Sequence, residues 1–261
     1  MTFFAQLDRS WTASKSMLCV GLDPDITRMP FPLDGQRDAT ERFCRAIVDA
    51  TADLACAFKP QIAYFASQGE EQALERICTY IRETYPDVTI LLDAKRGDIG
   101  STAEHYAREA FARYGAHAVT VNPYLGTDSV APYFAHGGGV VVVCRTSNAG
   151  GDDFQSLVAE GRPLYAHVAE RVAKHWSSHG ECGLVVGATY PQELADVRSI
   201  APDLPILVPG VGAQGGNAAT AVEHGADAGG RGLLVSSSRA ILYASSGADF
   251  AEAARAEAER T

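Results

Sequence analysis

Eight short apolar runs, each closing on a polar or glycine-containing stretch, recur along the chain and constrain its fold more than any other feature. They lie at residues 17–23, 55–60, 88–95, 118–124, 139–146, 182–189, 205–212 and 232–239. The runs are nearly continuous in Val, Ile, Leu and Cys, which is typical of strands covered on both faces, as in parallel sheets. The pattern therefore predicts eight parallel strands.

The segments between these runs mostly carry apolar residues at helical spacing, and Ser or Thr often precedes them as an N-cap. Helices are predicted at residues 40–54, 68–84, 101–114, 163–177, 192–200 and 216–224, and the connection between the fourth and fifth strands is the shortest. No two-residue hairpin signal joins neighbouring strands, which disfavours antiparallel pairing. Eight such units predict an α/β fold, a (β/α)8 TIM barrel, as a single domain over residues 1–261.

Charge and cysteine content narrow the class of protein. The formal net charge is −10, which argues against general nucleic-acid binding because that needs a basic surface. The six cysteines form neither a CxxC pair nor a compact cluster, so we expect reduced, buried thiols. Polar Gln6, Asp8 and Arg9 interrupt the amino-terminal stretch, and no apolar run reaches the length of a membrane span. We expect a cytoplasmic protein without nucleic-acid or membrane partners.

Charged residues crowd the segment "LLDAKRGDIGSTA" at residues 91–103, where an apolar strand ends. Strand alternation would place Asp93 and Lys95 on the same face. Barrel active sites lie at the carboxyl ends of the strands, where charges from several strands fix one another's protonation states. A structural ion-pair network remains an alternative for this segment alone. The polar residues at the predicted strand ends are Asp23, Lys59, Asp93, Lys95, Asp98, Asn122, Ser147, Gln214 and Arg239.

The last two strands end in segments suited to phosphate. "VPGVGAQGG" at 208–216 leaves its backbone N–H groups uncovered and opens a predicted helix, and "SSSRAI" at 236–241 supplies Arg239. "GVGAQG" matches the dinucleotide pattern GxGxxG, but it comes late and lacks the acidic residue at a following strand end. We interpret it as a phosphate-binding loop. The sequence contains no HExxH, GxSxG or GxxxxGK[ST] motif.

Taken in order, these motifs resemble the orotidine 5′-phosphate decarboxylase family. The resemblance rests on Asp93-x-Lys95-x-x-Asp98, with Lys59 ending the second strand and Asp23 the first. The segment "DAKRGDIGSTA" is similar in particular to the type 2 branch of that family. The resemblance to the family extends through "VGLDPD" (20–25), "FKPQIAYF" (58–65), "TVNPYLG" (120–126), "VPGVGAQGG" and "SSSRAI".

The resemblance implies a decarboxylase that converts orotidine 5′-phosphate to UMP and CO2, the last step of UMP biosynthesis, without metal or other cofactor. It implies that Lys95 donates the proton to C6 of the pyrimidine as CO2 departs. Asp93 would lie against the leaving carboxylate. Lys59 and Asp23 would contact the ribose hydroxyls, with Lys59 also ordering the charged side chains.

The resemblance also assigns the remaining site residues. Asp98 and Thr102 would reach into the active site of a partner subunit, so the implied partner is a second copy in a homodimer. Ser147 would bind the pyrimidine edge, and Gln214 and Arg239 would hold the phosphate.

Three alternatives remain open from the sequence. A magnesium-dependent decarboxylase or synthase acting on a sugar phosphate shares the DxKxxD triad, but such relatives carry a glutamate metal ligand where this chain has Lys59. A phosphate-metabolite-binding barrel without catalysis is the second. A Schiff-base aldolase is the third, although Asp93 and Asp98 would keep Lys95 charged and poorly nucleophilic.

Overall fold

A closed barrel of parallel strands forms the centre of the molecule in the computed structural model, which describes residues 1–212 and 215–261. Within these residues, eight strands close in the order β1, β2, β3, β4, β5, β8, β9, β10, and β6 pairs only with β7. The predicted (β/α)8 TIM barrel is confirmed, and each of the eight apolar runs supplies one barrel strand. The strands are β1 (Leu18–Leu22), β2 (Ala57–Pro60), β3 (Thr89–Arg96), β4 (Ala118–Val121), β5 (Gly139–Arg145), β6 (Val158–Ala159), β7 (Arg162–Pro163), β8 (Cys182–Val186), β9 (Ile206–Val208) and β10 (Leu233–Ser237).

Helices surround the barrel, and all six predicted ones are present with ends that differ by a few residues. The helices are α1 (Phe3–Ser14), α2 (Ala39–Thr51), α3 (Ile62–Ala66), α4 (Glu71–Thr84), α5 (Gly100–Arg108), α6 (Thr127–Ala135), α7 (Leu164–Lys174), α8 (Pro191–Ile200), α9 (Ala218–Gly225), α10 (Arg239–Leu242) and α11 (Phe250–Arg260). A π-helical turn over Glu109–Arg113 extends α5. The connection between β4 and β5 is also helical, as α6.

The first helix, which the sequence pattern did not predict, closes the amino-terminal end of the barrel. Phe3 and Leu7 are each 1% exposed and pack against the residues that fill the barrel interior. Trp11 donates its indole N–H to the carbonyl of Leu233 at 2.9 Å, at the first residue of β10. A Cβ at Gly139, the first residue of β5, would overlap the Phe3 ring. The amino-terminal end of the barrel is therefore sealed by α1.

Two apolar clusters account for the packing. One lies between the strands and the surrounding helices, and the other fills the barrel. The inward-facing members of the second cluster include Cys19, Ala57, Leu91, Val141, Val185, Leu207 and Leu234. The next inward positions toward the carboxyl ends are polar. Lys59, Asp93 and Ser236 each lie two residues after an apolar inward residue of the same strand. The same pleat that builds the core thus delivers polar groups to the open end.

A short antiparallel ribbon interrupts the long loop after β5, where no hairpin was predicted. It pairs β6 with β7, and Glu160 and Gly161 connect them with φ values of 50° and 76°. Positive φ at both central residues is typical of the tight turns that join such strands. The expectation of parallel pairing concerned the eight predicted strands and is confirmed for them, whereas this ribbon was not predicted.

The six cysteines are buried and free, as predicted. Burial raises the pKa of the Cys19 thiol to about 12, so this group inside the barrel stays protonated at neutral pH. In the part of the chain that the structure describes, no helix combines the length and apolar character needed to cross a membrane.

Because α1 seals the barrel end with Phe3, we predict that substitution of Phe3 lowers the free energy of unfolding strongly. Replacing this buried ring with Ala leaves a cavity at the barrel end, and we expect the free energy of unfolding to fall by about 3–5 kcal/mol. Phe154→Ala is the matched control, because Phe154 is 64% exposed and its loss should cost less than about 0.5 kcal/mol. Urea denaturation at one fixed protein concentration measures both. An equal loss of unfolding free energy in the two variants would contradict the role of Phe3 in sealing the barrel end.

Candidate active site

A cavity of about 420 Å³ opens at the carboxyl ends of the barrel strands. Six of the predicted site residues line it, and they come from both halves of the chain: Asp23, Lys59, Asp93, Lys95, Ser147 and Arg239. Asp98 and Thr102 are not among the lining residues, and Gln214 lies outside the residues that the structure describes. The lining also includes residues that the sequence analysis did not name individually, although several lie in the segments 58–65, 208–216 and 236–241: Gln61, Tyr64, Thr146, Asn148, Val185, Pro209, Gly210, Val211, Ser236 and Ser238.

The carboxylate of Asp93 lies at the centre of the charged groups. Lys59 Nζ donates to Asp93 Oδ2 at 3.0 Å, and Lys95 Nζ donates to Asp93 Oδ1 at 2.6 Å. The Thr120 hydroxyl also donates to Oδ1, at 2.9 Å. Lys59 and Asp93 are buried, whereas 45% of the Lys95 side chain is exposed. The arrangement places one ammonium group in the protein interior and presents the other to the cavity.

These contacts fix the charge of the buried pair. Burial alone would lower the pKa of Lys59, but the carboxylates of Asp93 and Asp23 raise it above its usual range. Burial would likewise raise the pKa of Asp93, but the ammonium groups of Lys59 and Lys95 hold it well below its usual range. Lys59 is therefore cationic and Asp93 anionic at neutral pH. A buried carboxylate is stable in the charged state only with such partners.

A bulge in β3, rather than strand alternation, brings Lys95 beside Asp93. Leu92 pairs with Val119 and Arg96 pairs with Val121, so the register shifts between Leu92 and Arg96. Lys95 itself has φ 46°, a left-handed conformation that costs a non-glycine residue about 1–3 kcal/mol. The prediction that the two side chains meet is correct, but its reason was wrong. β3 therefore departs from regular strand geometry at Lys95 itself.

Arg96, for which the sequence offered no role, points away from the cavity. Its guanidinium forms an ion pair with Glu109 at 2.9 Å and lies 4.5 Å from the centre of the Tyr106 ring. These contacts join the end of β3 to α5 and to the π-helical turn that follows. Arg96 thereby anchors the loop that carries Asp98.

Asp23 supplies an acceptor that receives no donor from the residues that the structure describes. It follows β1, and its Oδ1 is buried without a hydrogen-bond partner among the described residues. The backbone around it is fixed, because Tyr243 donates its hydroxyl to the Asp23 carbonyl at 3.1 Å. An unpaired buried carboxylate oxygen is costly, and a donor from a bound molecule would satisfy it.

The far wall of the cavity comes from the loops after β9 and β10. Gly210 has φ 95°, a conformation that favours glycine, and its carbonyl accepts from Gly216 N at 3.0 Å. Arg239 is the exposed first residue of α10 and turns this wall cationic. The expected helix start at Gly216 is wrong: α9 begins at Ala218, and Asn217 caps it by accepting from Thr220 N at 3.0 Å. This cap already occupies the backbone N–H of Thr220, one of the donors in the first turn of α9.

A buried arginine, missed by the sequence analysis, holds the wall that carries Ser147. Arg145 is 1% exposed, donates to Asp152 at 2.6 Å and to Glu193, and lies 4.0 Å from the centre of the Tyr190 ring. It thus ties the loop after β5 to the loop and helix after β8. Its position in the apolar run 139–146 gave no signal of burial, because Glu193 and Tyr190, which enclose the guanidinium, are distant in sequence.

Asp98 and Thr102 lie beyond the rim of their own cavity. Asp98 Oδ1 accepts from the backbone N–H of Ile99 at 2.8 Å, and Thr102 is exposed in the first turn of α5. Neither residue is among those that line the cavity of its own chain beside Lys95.

The donor set suits an organic anion. The cavity presents the ammonium of Lys95 and the guanidinium of Arg239, and it also offers carboxylate and hydroxyl acceptors. Among residues 1–212 and 215–261, no group of three His, Cys, Asp or Glu side chains lies together in a way that could hold a metal ion.

Comparison with known proteins identifies the family. The family model described as "Orotidine 5'-phosphate decarboxylase / HUMPS family" matches residues 16–256. The Orotidine 5'-phosphate decarboxylase of Ralstonia pickettii (strain 12J) is 61% identical over 256 residues, which cover 98% of this chain and 94% of that protein. The protein of the same name from Janthinobacterium sp. (strain Marseille) is 58% identical over 262 residues, covering 100% and 97%.

Solved structures agree with the sequence comparison. The structure of Leishmania donovani OMP decarboxylase has a TM-score of 0.84 and 38% sequence identity, and the match covers 100% of this chain and 97% of that one. The resemblance inferred from the motifs is confirmed. The chain belongs to the orotidine 5′-phosphate decarboxylase / HUMPS family and is a carboxy-lyase.

Proposed function

We propose that the chain decarboxylates orotidine 5′-phosphate to UMP and CO2, the last step of UMP biosynthesis, with Lys95 as proton donor. The main support for the proposal is the chain of hydrogen bonds from Lys59 through Asp93 to Lys95 at one wall of the cavity. Arg239 lines the same cavity. The family and its named relatives support the same reaction.

The reaction demands stabilisation of charge at a ring carbon. When the bond from C6 to the carboxylate breaks, the electron pair stays on C6, and no adjacent carbonyl can accept it. A fixed ammonium beside C6 lowers the energy of that carbanion, because the positive charge is already in place when the negative charge develops. Lys95 then transfers a proton from Nζ to C6, and its neutral amine regains a proton from solvent. The exposed 45% of its side chain gives solvent that access.

The second charge in this account belongs to Asp93. Its carboxylate holds the Lys95 ammonium at 2.6 Å and thereby sets the direction of proton delivery. Because the lysines keep Asp93 anionic, it also repels a substrate carboxylate bound next to it, and loss of CO2 relieves that repulsion. Lys59 neutralises the other oxygen of Asp93 from inside the barrel, at 3.0 Å.

The remaining lining residues bind the parts of the substrate that do not react. Asp23 Oδ1 is assigned to a ribose hydroxyl, together with Lys59, because that oxygen has no donor among the described residues. Ser147 is assigned to the pyrimidine edge. Arg239 is assigned to the phosphate, and so is Gln214, which lies outside the residues that the structure describes. Binding energy from the phosphate, remote from C6, can orient the ring against Lys95.

The charge pattern also favours this reaction over the magnesium-dependent alternative. A divalent cation needs free carboxylate oxygens, but both oxygens of Asp93 already accept from lysines, and Lys59 lies where such relatives carry a glutamate. The Schiff-base alternative needs Lys95 Nζ as a nucleophile, but that nitrogen already donates to Asp93 Oδ1 at 2.6 Å.

We further propose a homodimer with shared active sites. Asp98 and Thr102 lie outside their own cavity, and large apolar side chains are exposed on the loops beside them. Ile99 is 55% exposed, Tyr124 84% and Leu125 47%. Exposed apolar groups of this size are typical of interaction surfaces. A second copy that covers them would receive Asp98 and Thr102 at its own cavity.

The first prediction concerns Lys95. The purified wild-type chain should convert orotidine 5′-phosphate to UMP, followed by ultraviolet absorbance, and Lys95→Ala should lose nearly all turnover while still binding UMP by calorimetry. The matched control is Lys174→Ala, a surface lysine of α7 with 64% of its side chain exposed, which should keep wild-type turnover. Unchanged turnover in Lys95→Ala would remove Lys95 as proton donor, and an inactive wild-type chain would overturn the assigned reaction.

The second prediction tests the shared site. Asp98→Ala and Lys95→Ala should each be nearly inactive, but a mixture that exchanges subunits should recover about a quarter of wild-type activity, because half of random dimers are mixed and each contains one intact site. The readout is turnover before and after exchange, with exchange verified by mass spectrometry of differently tagged chains. Full exchange without recovery would argue against sharing.

A further inference from the structure

Thr120, in the middle of β4, makes three hydrogen bonds that all converge on the Asp93–Lys95 segment. We infer that Thr120 is a positioning residue for the decarboxylation proposed above: its hydroxyl orients the Asp93 carboxylate and fixes the backbone from which Lys95 projects. The inference rests on that proposed function. It adds a residue on the neighbouring strand that never needs to touch the substrate.

The first observation is a gap in the strand pairing. Leu92 pairs with Val119 and Arg96 pairs with Val121, so three residues of β3 lie opposite Thr120 alone. The main-chain ladder resumes beyond the gap, where Asn122 N donates to the Arg96 carbonyl at 2.8 Å. Inside it, backbone N–H groups of β3 need other acceptors, because buried donors without partners are costly.

The Thr120 hydroxyl provides those acceptors. Thr120 is 0% exposed, and its Oγ1 accepts from the backbone N–H groups of Ala94 and Lys95, each at 2.9 Å. Its own hydrogen goes to Asp93 Oδ1 at 2.9 Å. A hydroxyl has one donor and two acceptor sites, and all three are used here. The side chain therefore has one satisfied orientation.

Both catalytic groups depend on that orientation. Asp93 Oδ1 receives the Thr120 hydroxyl and the Lys95 ammonium together, so the hydroxyl sets where the ammonium can approach. The bond to Lys95 N supports the backbone at φ 46°, a conformation that persists only where its surroundings enforce it. Removing the hydroxyl frees both the carboxylate and the backbone. Lys95 then loses its fixed direction toward C6.

A purely structural role is the competing account, and the variants separate the two. Thr120→Val keeps the shape but removes the hydroxyl, and Thr120→Ser keeps the hydroxyl. The matched control is Thr89→Val in β3, a buried threonine near the amino-terminal end of the barrel whose hydroxyl bonds to Ser10 at 2.8 Å. All three variants lose packing or a buried hydrogen bond. Only Thr120→Val loses the link to Asp93 and Lys95.

The experiment measures kcat and KM for orotidine 5′-phosphate together with crystal structures of the variants. We expect kcat of Thr120→Val to fall about tenfold to a hundredfold, because small misplacements of a reacting group have effects of this size, while KM changes little. Thr120→Ser should retain kcat within about threefold and Thr89→Val should match wild type. In the Thr120→Val crystal, Lys95 should leave the left-handed conformation and its ammonium should move away from Asp93.

Other outcomes overturn the inference. A folded Thr120→Val with wild-type kcat, or with Lys95 unmoved in the crystal, contradicts it. If Thr120→Val does not fold, Thr120→Ser decides, since a large loss of kcat in that variant is incompatible with a role for the hydroxyl. An inactive wild-type chain would overturn the proposed function instead, and the crystal comparison still tests whether Thr120 positions Lys95.

Discussion

The buried carboxylate of Asp93 is the constraint on which the rest of the site depends. A lone carboxylate in this position would be neutral or would destabilise the fold, because transfer of an unpaired charge out of water is costly. Here two ammonium groups and one hydroxyl share its two oxygens. These partners come from β2, from β3 itself and from β4, which are adjacent in the barrel. Ionisation of Asp93 therefore depends on the pairing of these three neighbouring strands.

The architecture separates stability from chemistry along the barrel axis. At the amino-terminal end, α1 seals the interior with Phe3 and Leu7, and the apolar layer above them carries no charge. At the carboxyl end, the inward positions turn polar and the loops surround a cavity of about 420 Å³. Two ion-pair networks brace those loops: Arg96 with Glu109 beneath one and Arg145 beneath another. Rigid support of this kind keeps lining groups in place without contact to a ligand.

Much of the fold was predictable, because parallel strands covered on both faces leave a nearly continuous apolar run that can be read in one dimension. The same logic located Lys59, Asp93 and Lys95, since barrel chemistry lies at strand ends. What could not be predicted depends on contacts between distant segments. Arg145 reads as part of an apolar strand until Glu193 is seen beside it. The β3 bulge has no sequence signal, because the hydroxyl that stabilises it belongs to the next strand.

We propose that fixed side-chain charges, without a metal ion, perform the decarboxylation. The most direct test is the turnover of orotidine 5′-phosphate by wild-type protein after exhaustive dialysis against EDTA, with the chelator also present in the assay. We expect the same rate as in untreated protein and no increase on adding magnesium. Loss of activity with EDTA, restored by magnesium, would contradict it.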